Sequence, residues 1–407
     1  MDNSAKISNL KSSPLFNLSL TNKELFHSNF LAWFGREYDS LFKNLICSIV
    51  DNKYQEWSKD LDGFSICREY KHFDLCVIDN NKNLRLIIEN KVKSVPTKKQ
   101  LKEYEEVIKK DYKDLKSVVF ILLTMSKELQ DEHNPNIQLE FNWKRVTYTE
   151  LSVNLRELAD KINNDYHKSL VVDYCNYVSN LQEIIADTAN DNNFFYDSPQ
   201  TTLMHELGIH DICGKRKIQS VYNKLIDKIQ KSQFEIVAKD ELESGAKKVQ
   251  LLWGYTDQPI IEVRFKVNDD YLIMQIQGSQ YRHAIEFFDK EVGERICQNE
   301  KKAFIPSDKG LAYLKKEYNK ILFSQEALNN FPKFLGNIPN EFGQNKKDGK
   351  KENGYCKYCN GKKMEDGTIS CFVYQWVKIP NSISIDDLTD NIISDTNDLF
   401  DITHSTR

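Results

Sequence analysis

Apolar positions in the N-terminal part of this chain recur first with helical and then with strand-like spacing. Leu25, Phe26, Asn29, Phe30, Trp33 and Phe34 mark one face of a helix, and Thr21-Asn22-Lys23-Glu24 ahead of them has capping-box spacing. Residues 38–56 predict a second helix, with Leu41, Leu45, Ile46, Ile49 and Val50 inward. Short runs at 64–70, 73–79 and 84–92 then read as strands, the last two joined by the polar turn Asn80-Asn81-Lys82-Asn83. Ser94-Val95-Pro96-Thr97 breaks the pattern, and Thr97 is placed to cap a helix running to about Lys110. Ser117 to Thr124, S-V-V-F-I-L-L-T, reads as a fully buried strand, with another at 144–149. Helices over 150–164 and 168–188 follow, separated by the turn Asn163-Asn164-Asp165.

The Asn- and Asp-rich stretch from Asp187 to Pro199 marks the expected boundary between a domain at 1–190 and another at 200–407. Beyond it the pattern predicts a helix at 215–231 and strands at 248–255, 260–267 and 271–277. Helices are expected at 281–295, 309–322 and 325–333, a polar loop at 343–353 and a strand at 371–379. The acidic tail after Asp386 is expected to hold one short helix before fraying. This second half reads as an α+β domain.

The strand hairpin carries the candidate chemistry. It brings Asp74, in F-D-L-C-V-I-D, and Glu89, in L-R-L-I-I-E-N-K, toward the same end of a sheet. Two carboxylates there suit a Mg²⁺-type ion, which takes hard oxygen ligands and keeps waters that can attack phosphorus. Side chains alternate along a strand, so Glu89 and Lys91 face one way and Asn90 the other. Lys91 can then reach the same phosphate. Glu24 has a competing reading as a helix-capping residue. His27, one helical turn on, either faces substrate or is structural. Glu69 is either a third acid or a cross-strand partner for a Lys. Gln100 and Tyr104 share a helix face, and Tyr104 also suits packing of helix on sheet.

D-x14-E-N-K followed by a Gln-bearing helix resembles the PD-(D/E)XK nuclease superfamily, over about residues 20–150. E-L-F-H-S-N-F-L-A-W-F, R-E-Y, F-D-L-C-V-I, I-I-E-N-K and Q-L-K-E-Y occur in the expected order. His72-Phe73 stands before Asp74 where the superfamily's name has Pro, a residue many members lack. The resemblance implies a restriction-endonuclease-like αβββαβ core with a mixed sheet. It implies Mg²⁺ or Mn²⁺ held by Asp74, Glu89 and the Asn90 carbonyl, with Glu24 reaching in from the first helix. Asp74, Glu89, Lys91 and Gln100 are then the catalytic set, and DNA is the default substrate. Lys93, Lys98, Lys99, His27 and Tyr104 become candidates for contact with it. The setting suggested is bacterial genome or anti-phage defence.

Composition narrows this little. At 407 residues the chain has room for two or three domains, and its net charge of −4 excludes a surface coated in positive charge without excluding nucleic acid. Lys91 to Lys110, Lys215-Arg216-Lys217 and Lys346 to Lys363 are the lysine-rich stretches; the first lies beside the carboxylates, and the others also suit solvated surface. No apolar run has the length of a membrane span, and no secretory signal is visible. Nine scattered cysteines then suggest a reducing cytoplasm. Cys356-x2-Cys359 with Cys371 resembles half a zinc ribbon; the second pair is missing and His404 is far away, so a site needs Cys297 or a His from elsewhere to complete it, and structural zinc is not expected. The second domain is expected to bind DNA, a protein partner or another copy of the chain, since double-strand cutting with one site per chain favours a homodimer. The rival readings are a catalytically silent nucleic-acid- or protein-binding module, and an enzyme acting on free nucleotides, which needs a pocket enclosing a base.

Overall fold

The structure is a computed structural model that describes residues 4–19, 23–50, 61, 63–70, 73–92, 94, 96–112, 118–127, 129, 137–194, 199–255, 258–289, 292–298, 301–306, 308–323, 356–358, 369–380 and 383–404. The chain divides into two compact units, Met1–Ala189 with Glu206–Arg216, and Asn190–His205 with Lys217–Arg407. Both are mixed α/β, built on mixed sheets flanked by helices.

In the first unit, helices α1 (Ser4–Ser12), α2 (Pro14–Ser19), α3 (Lys23–Glu37) and α4 (Asp39–Ile49) precede strands β1 (Phe64–Tyr70), β2 (Phe73–Asp79) and β3 (Leu84–Lys91). These strands pair antiparallel in sequence order, because tight connections return the chain alongside itself. Helix α5 (Lys98–Asp111) then carries the chain across to β4 (Val119–Thr124), which pairs parallel with β3, and β5 (Trp143–Thr147) pairs parallel with β4. Thr97 caps α5, its hydroxyl accepting from the Gln100 N–H at 3.0 Å. Leu101 and Ile108 of α5 pack with Cys76, Ile87, Phe120 and Leu122 in one apolar cluster, which fixes the helix on this face of the sheet. Helices α6 (Tyr148–Ala159) and α7 (Asp165–Asn190) follow, α6 opening on a Thr147/Glu150 capping box.

The later elements are α8 (Pro199–Glu206), α9 (His210–Gln230), β6 (Glu235–Ile236), β7 (Lys248–Tyr255), β8 (Pro259–Val267), β9 (Asp270–Gln277), β10 (Gln280–Asp289), β11 (Val292–Gln298), β12 (Lys301–Pro306), α10 (Asp308–Glu317), β13 (Cys356–Tyr358), β14 (Ile369–Lys378) and α11 (Ile385–His404). A π-helical turn, Asn319–Phe323, follows α10. Seven strands form one sheet in the order β13-β14-β10-β9-β8-β7-β6, antiparallel except for the β6–β7 pair. Its apolar face includes Val263, Phe265, Ile285 and Phe287, all buried. Phe400 of α11 meets Phe265 there with ring centroids 5.5 Å apart, and Tyr281 and His283 of β10 bond the buried Asp395. The alternate positions, among them Glu262, Arg264, Gln275, Arg282 and Glu286, fall on the other face.

Two expectations fail in this unit. Residues 281–295, expected as helix, form β10 and enter β11. Tyr281, Ala284, Ile285 and Phe288 have helical spacing, but β10 is paired on both sides and buries residues of both faces. The C-terminal helix is not short: α11 runs 20 residues, its acidic exterior masking the buried stripe Ile385, Leu388, Ile392, Leu399 and Phe400. The helix expected at 325–333 and the loop at 343–353 lie outside the described residues.

Candidate active site

The β2–β3 register sets the geometry. Leu75 pairs with Ile88, so the next step of the ladder carries Asp74 opposite Glu89. The Asn90 N–H donates to Asp74 Oδ2 at 2.7 Å, tying the two strand ends together. Glu89 and Lys91 project to the α5 side. Lys91 Nζ lies 2.6 Å from Glu89 Oε1, and the Tyr104 hydroxyl donates to the same oxygen at 2.8 Å. Gln100 Nε2 donates to that hydroxyl at 3.0 Å. Asn90 turns to the other face, where its amide meets Ser28 Oγ of α3 at 2.5 Å. Glu24 of α3 reaches the end of β3, accepting from the Val92 N–H at 3.3 Å and the Ser94 hydroxyl at 3.2 Å.

The centre of this cluster is buried, while Asp74, Glu24, Gln100 and Tyr104 around it are half-buried. Glu89 is 2 % and Lys91 8 % exposed. Burial, and after it the neighbouring Glu89 charge, pushes the Asp74 carboxyl up to about 7; the Asn90 N–H and Lys91 pull the other way, and Glu24 adds to the rise. Burial works against the Lys91 ammonium, but Glu89, Glu24 and Asp74 outweigh it and hold its pKa above the ordinary value. Burial and Glu89 raise the Tyr104 hydroxyl, which stays a donor. Among the described residues, the acids Asp74, Glu89 and Glu24 thus gather around the buried Lys91.

That gathering of acids fits a divalent metal. Oε1 of Glu89 is taken by Lys91 and Tyr104, while Oε2 is buried with no hydrogen-bond partner. A Mg²⁺-type ion needs only one or two carboxylates, completing its shell with water and phosphate. Among the described residues no group of three or more His, Cys, Asp or Glu side chains forms a metal cluster, so any such ion would rest on the Asp74 and Glu89 pair with main-chain or water oxygens.

The geometry now bears comparison with known proteins. Residues 15–176 match the family model of the PD-(D/E)XK nuclease superfamily. The resemblance drawn from D-x14-E-N-K therefore holds over this segment, and a nuclease is the class it implies. No curated protein and no solved structure matches the chain.

The remaining candidates fall in different places. His27 does not face substrate: it is 0 % exposed, with Nδ1 2.9 Å from the Tyr174 hydroxyl and Nε2 3.4 Å from that of Tyr177. Lys98 and Lys99 open α5, Lys98 half-buried and Lys99 exposed; Lys93 lies outside the described residues, as do Thr21 and Asn22 of the capping box. Glu69 is exposed beside Arg68 and takes no part in the carboxylate cluster described above. Of the second lysine-rich stretch, Lys217 is buried and donates to the Asp191 carbonyl rather than facing solvent. Most of Lys346 to Lys363 lies outside the described residues, as does Cys359. Cys371 is buried on β14, and His404 Nδ1 is 2.8 Å from the Phe400 carbonyl. Ser28 and Ser94 escaped the sequence reading. Ser28 follows Glu24 by one helical turn, which was the available signal.

Proposed function

We propose that the first unit, together with the remainder of residues 1–190, is a Mg²⁺- or Mn²⁺-dependent nuclease with a restriction-endonuclease-like core. It hydrolyses phosphodiester bonds of nucleic acid, with DNA the default substrate. The observation that carries this is the carboxylate pair of Asp74 and Glu89 with Lys91 bonded to Glu89.

Asp74 and Glu89 would hold the cation, with the Asn90 main chain positioned between them by its bond to Asp74. A divalent ion bound there supplies an activated water and neutralises charge on phosphorus. Lys91 places a positive charge where the phosphate gains negative charge in the transition state. Tyr104 and Gln100 form a bonded chain that keeps Glu89 oriented, and Glu24 adds negative potential from α3. Attack in line with the leaving oxygen gives a 5′-phosphate and a 3′-hydroxyl. Residues 200–407, except Glu206–Arg216, which cluster with the first unit, are assigned recognition, regulation or dimerisation, in a setting of bacterial genome defence. The purified chain should cut plasmid DNA with Mg²⁺ or Mn²⁺ and stop when EDTA is added, and an RNA substrate run in parallel tests the default. Cutting that persists in EDTA overturns the metal assignment, and no cutting of DNA or RNA with either ion overturns the activity.

A further inference from the structure

The seven-stranded sheet turns a charged face away from its apolar core, and that face is built as a receptacle. A cavity of about 540 Å³ lies on it, within the size range of small-molecule sites. The strands set its groups in register. Glu262 of β8 pairs with Gln275 of β9, which pairs with Arg282 of β10, giving one polar row. The next row, Arg264, Ile273, Ala284 and Tyr374, has at its centre two fully buried residues, Ile273 and Ala284, against which Phe372 packs.

These groups hold one another in fixed orientations. Arg264 bonds Glu262 and lies 3.0 Å from Glu286, and Gln275 Nε2 donates to Glu262 at 2.6 Å. Ser370 donates to Glu286 at 3.0 Å. Arg282 donates to the side-chain oxygens of Gln280 at 2.9 Å and Gln275 at 2.8 Å, and also to Gln277. Its guanidinium stacks on Tyr374, 4.1 Å from the ring centroid. Arg264 and Arg282 are each only 9 % exposed. Burying two arginines and two glutamates on a sheet is expensive, and apolar residues would fold as well or better. The surrounding cavity gives the cluster a use, because oriented, desolvated polar groups bind without paying to organise themselves.

The lining also selects among ligand chemistries. The charge density rejects an apolar ligand. What fits has an anionic part for a guanidinium, donors for Glu262 and Glu286, and a flat ring for the half-buried Phe372. We propose that this cavity binds a nucleotide: the base stacks at Phe372 and is read by the glutamine and glutamate side chains, and an arginine takes its phosphate. The nucleotide is either free or part of a single strand. This goes beyond the nuclease reading and does not depend on it.

The test uses the full-length chain with Asp74→Ala, in EDTA, so that no cleavage intervenes. ATP, GTP, CTP and UTP are titrated separately by calorimetry, and a fluorescent single-stranded oligonucleotide by anisotropy. At least one probe should bind in the micromolar range. Phe372→Ala should weaken it about tenfold or more, as loss of base stacking does, and Gln277→Ala and Arg282→Gln should weaken it further or change which base is preferred. Phe372 and Gln277 are half-buried, so these variants keep the test standing if Arg282→Gln does not fold. Mononucleotide binding without oligonucleotide binding identifies a free nucleotide as the source; the reverse identifies a strand. Failure of every probe to bind, or binding indifferent to all three substitutions, overturns the proposal.

Discussion

Two lysines, Lys91 in the first unit and Lys217 in the second, are both buried, and their surroundings drive them in opposite directions. Lys91 is desolvated but touches the Glu89 carboxylate and feels Glu24 and Asp74, so its ammonium is held above the ordinary pKa. Lys217 is desolvated against a peptide carbonyl, that of Asp191, and its pKa falls to about 8 despite some help from the Asp191 charge. Burial alone therefore says nothing about whether a lysine stays charged; the partner decides. A lysine kept charged within a cluster of acids suits electrostatic work on a phosphate. One whose charged form is disfavoured by burial against a carbonyl has a structural place and a cost.

The comparison breaks most visibly if the acids around Lys91 are removed. Asp74→Ala or Glu89→Ala should lower cleavage by several orders of magnitude while circular dichroism stays native, because the carboxylate pair is proposed to hold the metal. Substantial cutting by either variant removes Asp74 and Glu89 from the catalytic set. Lys91→Ala should cost roughly a hundredfold or more in kcat, in the range typical of losing one electrostatic donor, and should leave nucleic-acid affinity nearly unchanged. A loss confined to affinity makes Lys91 a ground-state phosphate contact instead. Tyr104→Phe removes only the hydroxyl bonded to Glu89, with a smaller expected loss of about tenfold.

Lys217 gives the smallest effect and a different readout. Its folded pKa, about 8, lies below the ordinary lysine value of 10.5, so between these pH values the unfolded chain binds more protons than the folded one. Stability should then rise with pH across that window, and the penalty is fully present below about 8. Chemical denaturation followed from neutral to alkaline pH should show this rise, and Lys217→Met should flatten it. An unchanged slope in the variant means that other groups set the alkaline stability.

Much of the first unit was legible because its elements announce themselves locally. The strands at 64–70 and 73–79 fall where the apolar pattern puts them, and Thr97 caps α5 as its sequence context suggests. Residues whose partners are distant in sequence were not legible. His27 is enclosed by Tyr174 and Tyr177, which no local pattern connects to it. Ser28 acquires its role from Asn90, and Ser94 from Glu24. The second unit misled for another reason. A central strand buried on both faces, such as β10, loses the alternation that identifies strands, and by chance its apolar residues took helical spacing. Its polar cavity was invisible because Glu262, Gln275 and Arg282 become neighbours only through pairing across three strands.

The tie between Glu24 and the N–H of Val92 has a consequence for how the chain is made. The helix bearing Glu24 leaves the ribosome long before β3, and β3 gains its parallel neighbour β4 only after α5 has been synthesised. Contacts of such long sequence separation must first meet the entropy cost of closing a long loop, which slows folding. A nascent chain therefore carries the parts of the carboxylate cluster without having assembled it, and a truncated product ending before β4 lacks the strand that flanks Glu89 and Lys91. Incomplete synthesis of this protein should accordingly yield fragments in which the Asp74 and Glu89 pair lacks its flanking strand.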